Sequence, residues 1–196
     1  MISLSRGFLF VHIRKAAGTS ITWALSEHAD DQVLQAEGDN LWLSNDVMGG
    51  QYKHNKAAGY LQVLGAETFD RLLKFACVRD PWERAMSYFL WFCELHGQIQ
   101  PDPDPEAAFE AVVRQMEPMV DYVDIGGKFA LDDLLRFEHL YDDWPRLCQR
   151  LGIEEDLGHR NNRSHGRKLK WRYSRRMRSL VADLFSADIE RWGYKW

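Results

Sequence analysis

Lys15, Gly18, Thr19 and Ser20 stand together where an apolar run, Phe8-Leu9-Phe10-Val11 with Ile13, gives way to a helical pattern. An ammonium, a glycine and two hydroxyls at a strand-to-helix turn suit a phosphate or a sulfate, because the first N–H groups of a helix are unpaired and partially positive. The same Thr and Ser could equally serve only as helix caps. Taken alone, the stretch leaves both readings open. A second cationic turn closes the apolar run Leu72 to Val78, where Arg79 is followed eight residues later by Ser87, about two turns into a helix that Pro81 opens and Asp80 caps. A guanidinium fork with one added hydroxyl can grip another phosphate. His54 sits in Lys53-His54-Asn55-Lys56, just before a helix-like segment, and its ordinary pKa suits proton transfer near neutral pH. A surface histidine in a basic turn is the plain alternative.

These residues need elements to hold them. Phe8 to Ile13 reads as a central strand because both faces are apolar. A helix from Thr19 fades by Asp30, and residues 30 to 51 read mostly as a long loop with a short strand near Val33. Ala57 to Leu64 is helical with Gly65 as its stop, Leu72 to Val78 is a second strand, and a helix follows from Pro81 to Leu95. The prolines of 101 to 105 mark a surface loop within one domain. Beyond it come a helix over 106 to 116, an irregular stretch with Gly126 and Gly127, a third strand over 133 to 137, a helix over 138 to 151 and a last helix over 174 to 192. Strands alternating with helices indicate an α/β fold with a parallel sheet. In such sheets ligands bind beyond the carboxyl ends of the strands, so the turns at Lys15 and Arg79 are expected to converge on one crevice.

The chain of 196 residues suits a single domain spanning 1 to 196. Its 45% hydrophobic and 28% charged content is that of an ordinary globular protein. The net charge of −4 argues against a general polyanion binder, yet nine Lys or Arg and no acid lie between Gly158 and Arg178. With Trp171 and Tyr173 that segment could serve as a nucleic-acid patch, a lid, a surface for an anionic acceptor or a solvated charge run. Cys77, Cys93 and Cys148 lack metal-like spacing and read as reduced core residues, and the apolar runs are too short to cross a membrane. Together with a start unlike a signal peptide, this points to the cytoplasm. Trp82, Trp91 and Trp144 read as core.

Two long motifs carry a resemblance. Phe10-Val11-His12-Ile13-Arg14-Lys15-Ala16-Ala17-Gly18-Thr19-Ser20-Ile21 resembles the FIHIPKTGGTSI segment of sulfotransferases that use 3′-phosphoadenosine 5′-phosphosulfate (PAPS). Phe75 to Tyr88 is similar to their FAFVRNPWDRLVSAY segment. Arg136 to Leu140, Arg150 to Ile153 and Ala187 to Tyr194 continue the likeness in the same order along the chain.

The resemblance implies a three-layer, P-loop-like α/β fold and transfer of a sulfuryl group from PAPS, with PAP as product, to a hydroxyl or amine of a carbohydrate or small metabolite. It assigns Lys15 to the 5′-phosphosulfate and its bridging oxygen, with Gly18, Thr19 and Ser20 completing the cradle; Arg14, the other cation of that turn, joins the cofactor set by its position and not by the resemblance. Arg79 and Ser87 take the 3′-phosphate. His54 matches, over a shorter stretch, a family histidine in a KHATA run and is the expected base, with Glu138 as a second candidate. His159 to Ser164 is similar to an HLNKS run and adds Arg163 and Ser164 to the cofactor set. Arg14 stands for the usual Pro, Ala16-Ala17 for Thr-Gly and Asp80 for Asn, and losing Gly at 17 narrows the backbone choices of the turn. A nucleotide kinase or NTPase is the rival enzyme, disfavoured because no GxxxxGK[ST] occurs. A non-catalytic nucleotide or RNA binder using 158 to 178 is the rival of another class. Nucleic acid is the less favoured partner, no membrane partner is expected, and the oligomeric state is left open.

Overall fold

The computed structural model describes residues 1–35, 41–95, 104–158 and 173–196. In chain order the elements are β1 (Ile2–Ser3), β2 (Phe8–Val11), α1 (Gly18–Ala24), β3 (Gln32–Gln35), β4 (Leu41–Asn45), β5 (Gly50–Tyr52), α2 (Ala57–Arg71) and β6 (Leu73–Val78). There follow α3 (Pro81–Leu95), α4 (Pro105–Val113), α5 (Val120–Val123), β7 (Asp124–Ile125), β8 (Lys128–Phe129), β9 (Asp133–Arg136), α6 (Leu140–Leu151), α7 (Arg175–Leu184) and α8 (Ser186–Trp192). The chain forms two compact units, Met1–Val78 with Tyr122–His165 and Arg79–Asp121 with Gly166–Trp196.

The first unit holds the main sheet, ordered β1-β2-β6-β9. β2, β6 and β9 are parallel, and β1 runs antiparallel on the edge. All four residues of β2 are buried, which is why its sequence is a continuous apolar run rather than an alternation. Phe10 lies opposite Phe75 in register, with ring centroids 5.2 Å apart. Ile21 and Leu25 after the turn, and Leu140, Trp144 and Leu147 of α6, pack into the same cluster as Phe8, Phe10 and Phe75. The result is the α/β, P-loop-like arrangement expected, a mostly parallel sheet flanked by helices.

The segment read as loop differs. Besides the strand near Val33, β4 and β5 complete a three-stranded antiparallel sheet, ordered β3-β4-β5. Leu43 anchors it, being fully buried in the main core with Tyr52 packed beside it. Strands of four, five and three residues leave little room for a periodic signal. The Gly126-Gly127 stretch is the turn of the β7–β8 hairpin, with φ of 58° and 77°, the pair of positive values characteristic of a type I′ two-residue turn. At Gly65, φ 74° and ψ 158° interrupt the helix as expected, but a further helical stretch runs on to Arg71 because Phe69 is buried beneath Lys74.

The second unit packs Trp82, Met86, Phe109, Val113, Met177, Val181 and Phe185 into its own core. Asp80 caps α3, its Oδ1 accepting from the N–H groups of Trp82 at 3.0 Å and Glu83 at 3.1 Å. The last helix is two helices parted at Phe185, whose φ of −116° breaks the run and whose side chain is buried. Helix α4 ends at Val113, where i to i+3 bonds from Gln115 and Met116 tighten the final turn. Trp82 and Trp144 are buried and Trp91 is half-buried. No disulfide joins Cys77, Cys93 or Cys148 among the described residues. No described helix is long and apolar enough to cross a membrane.

Arg84 is 1% exposed, and both Nη atoms donate to the Glu117 carbonyl at 3.0 Å. The Asp188 carboxylate, 4.0 Å away, accepts the N–H groups of Met119 and Val120 at 2.8 and 2.9 Å. Removing one partner of such a buried set strands the other. Arg84→Ala should therefore cost about 3–5 kcal/mol, read as a lower urea midpoint with an unchanged m-value.

Candidate active site

β2 delivers the chain into a turn that L-residues resist. Lys15 has φ 63° and Ala17 φ 60°, both left-handed, while Ala16 between them is not. Alternation of that kind turns successive N–H groups toward one side and forms an anion-holding concavity. The conformations cost roughly 1–2 kcal/mol each for non-glycine residues, and strain of this sort collects where a site requires it. Arg14 is exposed, Lys15 and Thr19 are half-buried, and Gly18 and Ser20 are buried. Gly18 opens α1, and a Cβ there would lie 1.8 Å from His12 Nε2. Only glycine fits while the imidazole keeps its place.

His12 was not among the expected site residues. It occupies the next same-face position after Phe8 and Phe10, is 3% exposed, and stacks on Phe10 at 5.6 Å and 24°. A polar residue continuing an apolar face directly before the turn was the sequence signal. Its ring meets the His54 ring edge-on at 4.7 Å and 72°. His54 follows β5, and its Nδ1 lies 3.0 Å from the His12 carbonyl. A carbonyl only accepts, so Nδ1 carries the proton and donates, leaving Nε2 as the bare acceptor of the neutral ring.

Burial, opposed by the bond to the His12 carbonyl and reinforced by Arg14, Lys53 and the terminal amine, lowers the His54 pKa to about 4. Burial, then His54 and Lys53, holds His12 well below the usual imidazole range. Lys53 is itself lowered, by burial first and by Arg14 second. The segment is anchored from below. Tyr52 hydrogen-bonds to Asp31, which also accepts the Ile2 N–H at 2.6 Å, and Lys56 Nζ lies 5.7 Å from the Tyr122 ring.

In the second unit, Arg79 is 6% exposed, with Glu83 3.7 Å from one of its Nη atoms, and Ser87 is half-buried on α3. Glu138 lies exposed on a short 3-10 turn after β9. Arg163 and Ser164 fall outside the described residues.

A family model described as the sulfotransferase family matches residues 1–195. The chain belongs to the sulfotransferase family. Neither a curated protein nor a solved structure matches it. Sulfuryl transfer is therefore the general chemistry against which this family member is to be read. Within it, the left-handed turn is a local cost that a glycine would relieve. Ala17→Gly should stabilise the protein by about 1 kcal/mol, seen as a thermal midpoint raised by a few degrees with the turn otherwise unaltered.

Proposed function

We propose that this protein transfers a sulfuryl group from PAPS to a hydroxyl or amine of a carbohydrate or small-molecule acceptor. The observation that carries the reading is the turn at Lys15 to Gly18, where two non-glycine residues are held left-handed around a concavity suited to an oxyanion and beside a cation. The donor supplies the sulfuryl group and departs as PAP.

On this reading Lys15 sits at the bridging oxygen and neutralises the charge that develops there, since a preplaced cation stabilises the transition state most where charge appears. Arg14 adds positive potential, and Gly18, Thr19 and Ser20 supply backbone and hydroxyl donors. Arg79 and Ser87 bind the 3′-phosphate, with Arg163 and Ser164 as further ligands by resemblance. His54 Nε2 accepts the acceptor's proton as its oxygen or nitrogen attacks in line. Glu138, exposed as it is, is the weaker choice of base. The reading fits a cytoplasmic enzyme.

Calorimetric titration should show PAP binding more tightly than ATP, and Arg79→Ala should weaken PAP by about tenfold or more, the worth of a charge-assisted hydrogen bond. ATP binding as tightly as PAP overturns the assignment. His54→Ala should lower kcat by roughly 10²–10⁴ with PAP affinity retained, and unaltered turnover removes His54 from the mechanism. The base must be unprotonated to work, and burial lowers its pKa to about 4. Hence kcat/KM should be flat through the neutral range and fall only as pH drops toward that value. An acid limb centred at the ordinary histidine value points to another group.

A further inference from the structure

We propose that His12 is a positioning residue for the base: its ring is the spacer that sets His54 relative to Gly18 of the turn, and its carbonyl selects the His54 tautomer. The inference rests on the reading of His54 as base.

Four observations meet at this one side chain. The imidazole is clamped on one face by Phe10, with which it stacks. On another side its Nε2 occupies the space a Cβ of residue 18 would need. On a third it meets His54 edge-on, and its own carbonyl takes the His54 Nδ1–H at 3.0 Å. Lastly, its Nδ1 is buried and has no hydrogen-bond partner among the described residues. An orphaned buried nitrogen costs stability that an aliphatic side chain in the same place would not. Packed between Phe10, Gly18 and His54, the ring acts as a wedge: neither the turn nor the base can shift without displacing it.

The wedge also explains how the base stays poised. Rotation of His54 about its side-chain axis would break the Nδ1–H bond and drive its edge into His12, so Nε2 keeps one direction. Among the described residues, the charged groups that depress the basicity of His54 are Arg14, Lys53 and the terminal amine, while the bond to the His12 carbonyl opposes them. Opening the His12 side to water would weaken the largest cause of the depressed basicity, which is burial.

The test uses the full chain and NMR titration of the histidine rings, beside turnover and PAP calorimetry. In His12→Ala the His54 midpoint should rise from about 4 toward the free value, by at least about one unit. Turnover should fall about tenfold or more from misplacement of the base, with PAP affinity changed by less than about threefold. Gly18→Ala should raise the His54 midpoint too, because its methyl expels the ring. Added to His12→Ala it should produce no further shift, since the two substitutions disrupt one contact. Should His12→Ala fail to fold, His12→Gln keeps bulk without the ring and should move the midpoint the same way. A His54 midpoint unmoved in a folded His12 variant, or shifts that simply add in the double variant, overturns the spacer role. Retained turnover in His54→Ala overturns the base reading instead, so the two failures are separable.

Discussion

The turn between β2 and α1 can hold Lys15 and Ala17 left-handed only because both of its ends are pinned. On the strand side, β2 is hydrogen-bonded to β1 and β6 and buries every residue. On the helix side, Ile21 and Leu25 are fully buried in the same cluster as Phe8 and Phe10. Burying a large apolar side chain is worth about 1.5–3 kcal/mol, whereas each left-handed L-residue costs about 1–2 kcal/mol. Four such side chains outweigh two strained residues with room to spare. The core thus sustains a turn that the local sequence, with alanine where the family motif has glycine, would not adopt unaided.

The two units handle buried polarity in different ways. In the first, His12 and His54 lie beside Arg14 and Lys53 and remain neutral, because desolvation and neighbouring positive charge both disfavour a further proton. A neutral imidazole keeps one ring nitrogen as a bare acceptor. In the second, Arg84 stays within the interior, where the Glu117 carbonyl takes two of its N–H donors and the Asp188 carboxylate is satisfied by two backbone N–H groups. Burial raises the Asp188 pKa, opposed by those two backbone donors and by Arg84. One arrangement keeps two imidazoles neutral, while the other ties α3 and α8 to the backbone from Glu117 to Val120.

Much of the local architecture was legible because it rests on short-range physics. A continuous apolar run reads as a strand buried on both faces, as β2 proved to be. Asp80-Pro81 starts a helix since the carboxylate caps orphan N–H groups and proline needs none, and Gly152 ends α6 in the left-handed conformation expected of a C-cap. Of the β3-β4-β5 sheet only the strand near Val33 was legible. The other two strands are short, and the pairing of Leu43 with Tyr52 is set by docking onto a core distant in sequence. Lys74 likewise sits inside β6 at 6% exposure only because the Leu72 carbonyl and Asp132 each lie 2.8 Å from its ammonium.

The sequence alone determined the chemistry-bearing types, their order and the family motifs: a cation and hydroxyls after one strand, Arg79 and Ser87 after another, and His54 ahead of a helix. Spacing of this kind follows from chain geometry, so it can be read without the fold. What tertiary structure decided is which of these groups touch and in what protonation state. His12 and His54 are 42 residues apart, yet share a hydrogen bond and an edge contact. The tautomer of His54, its lowered basicity and the need for glycine at 18 all depend on that meeting. They arise from burial and from hydrogen-bond direction, which exist only once the core has brought the two histidines together.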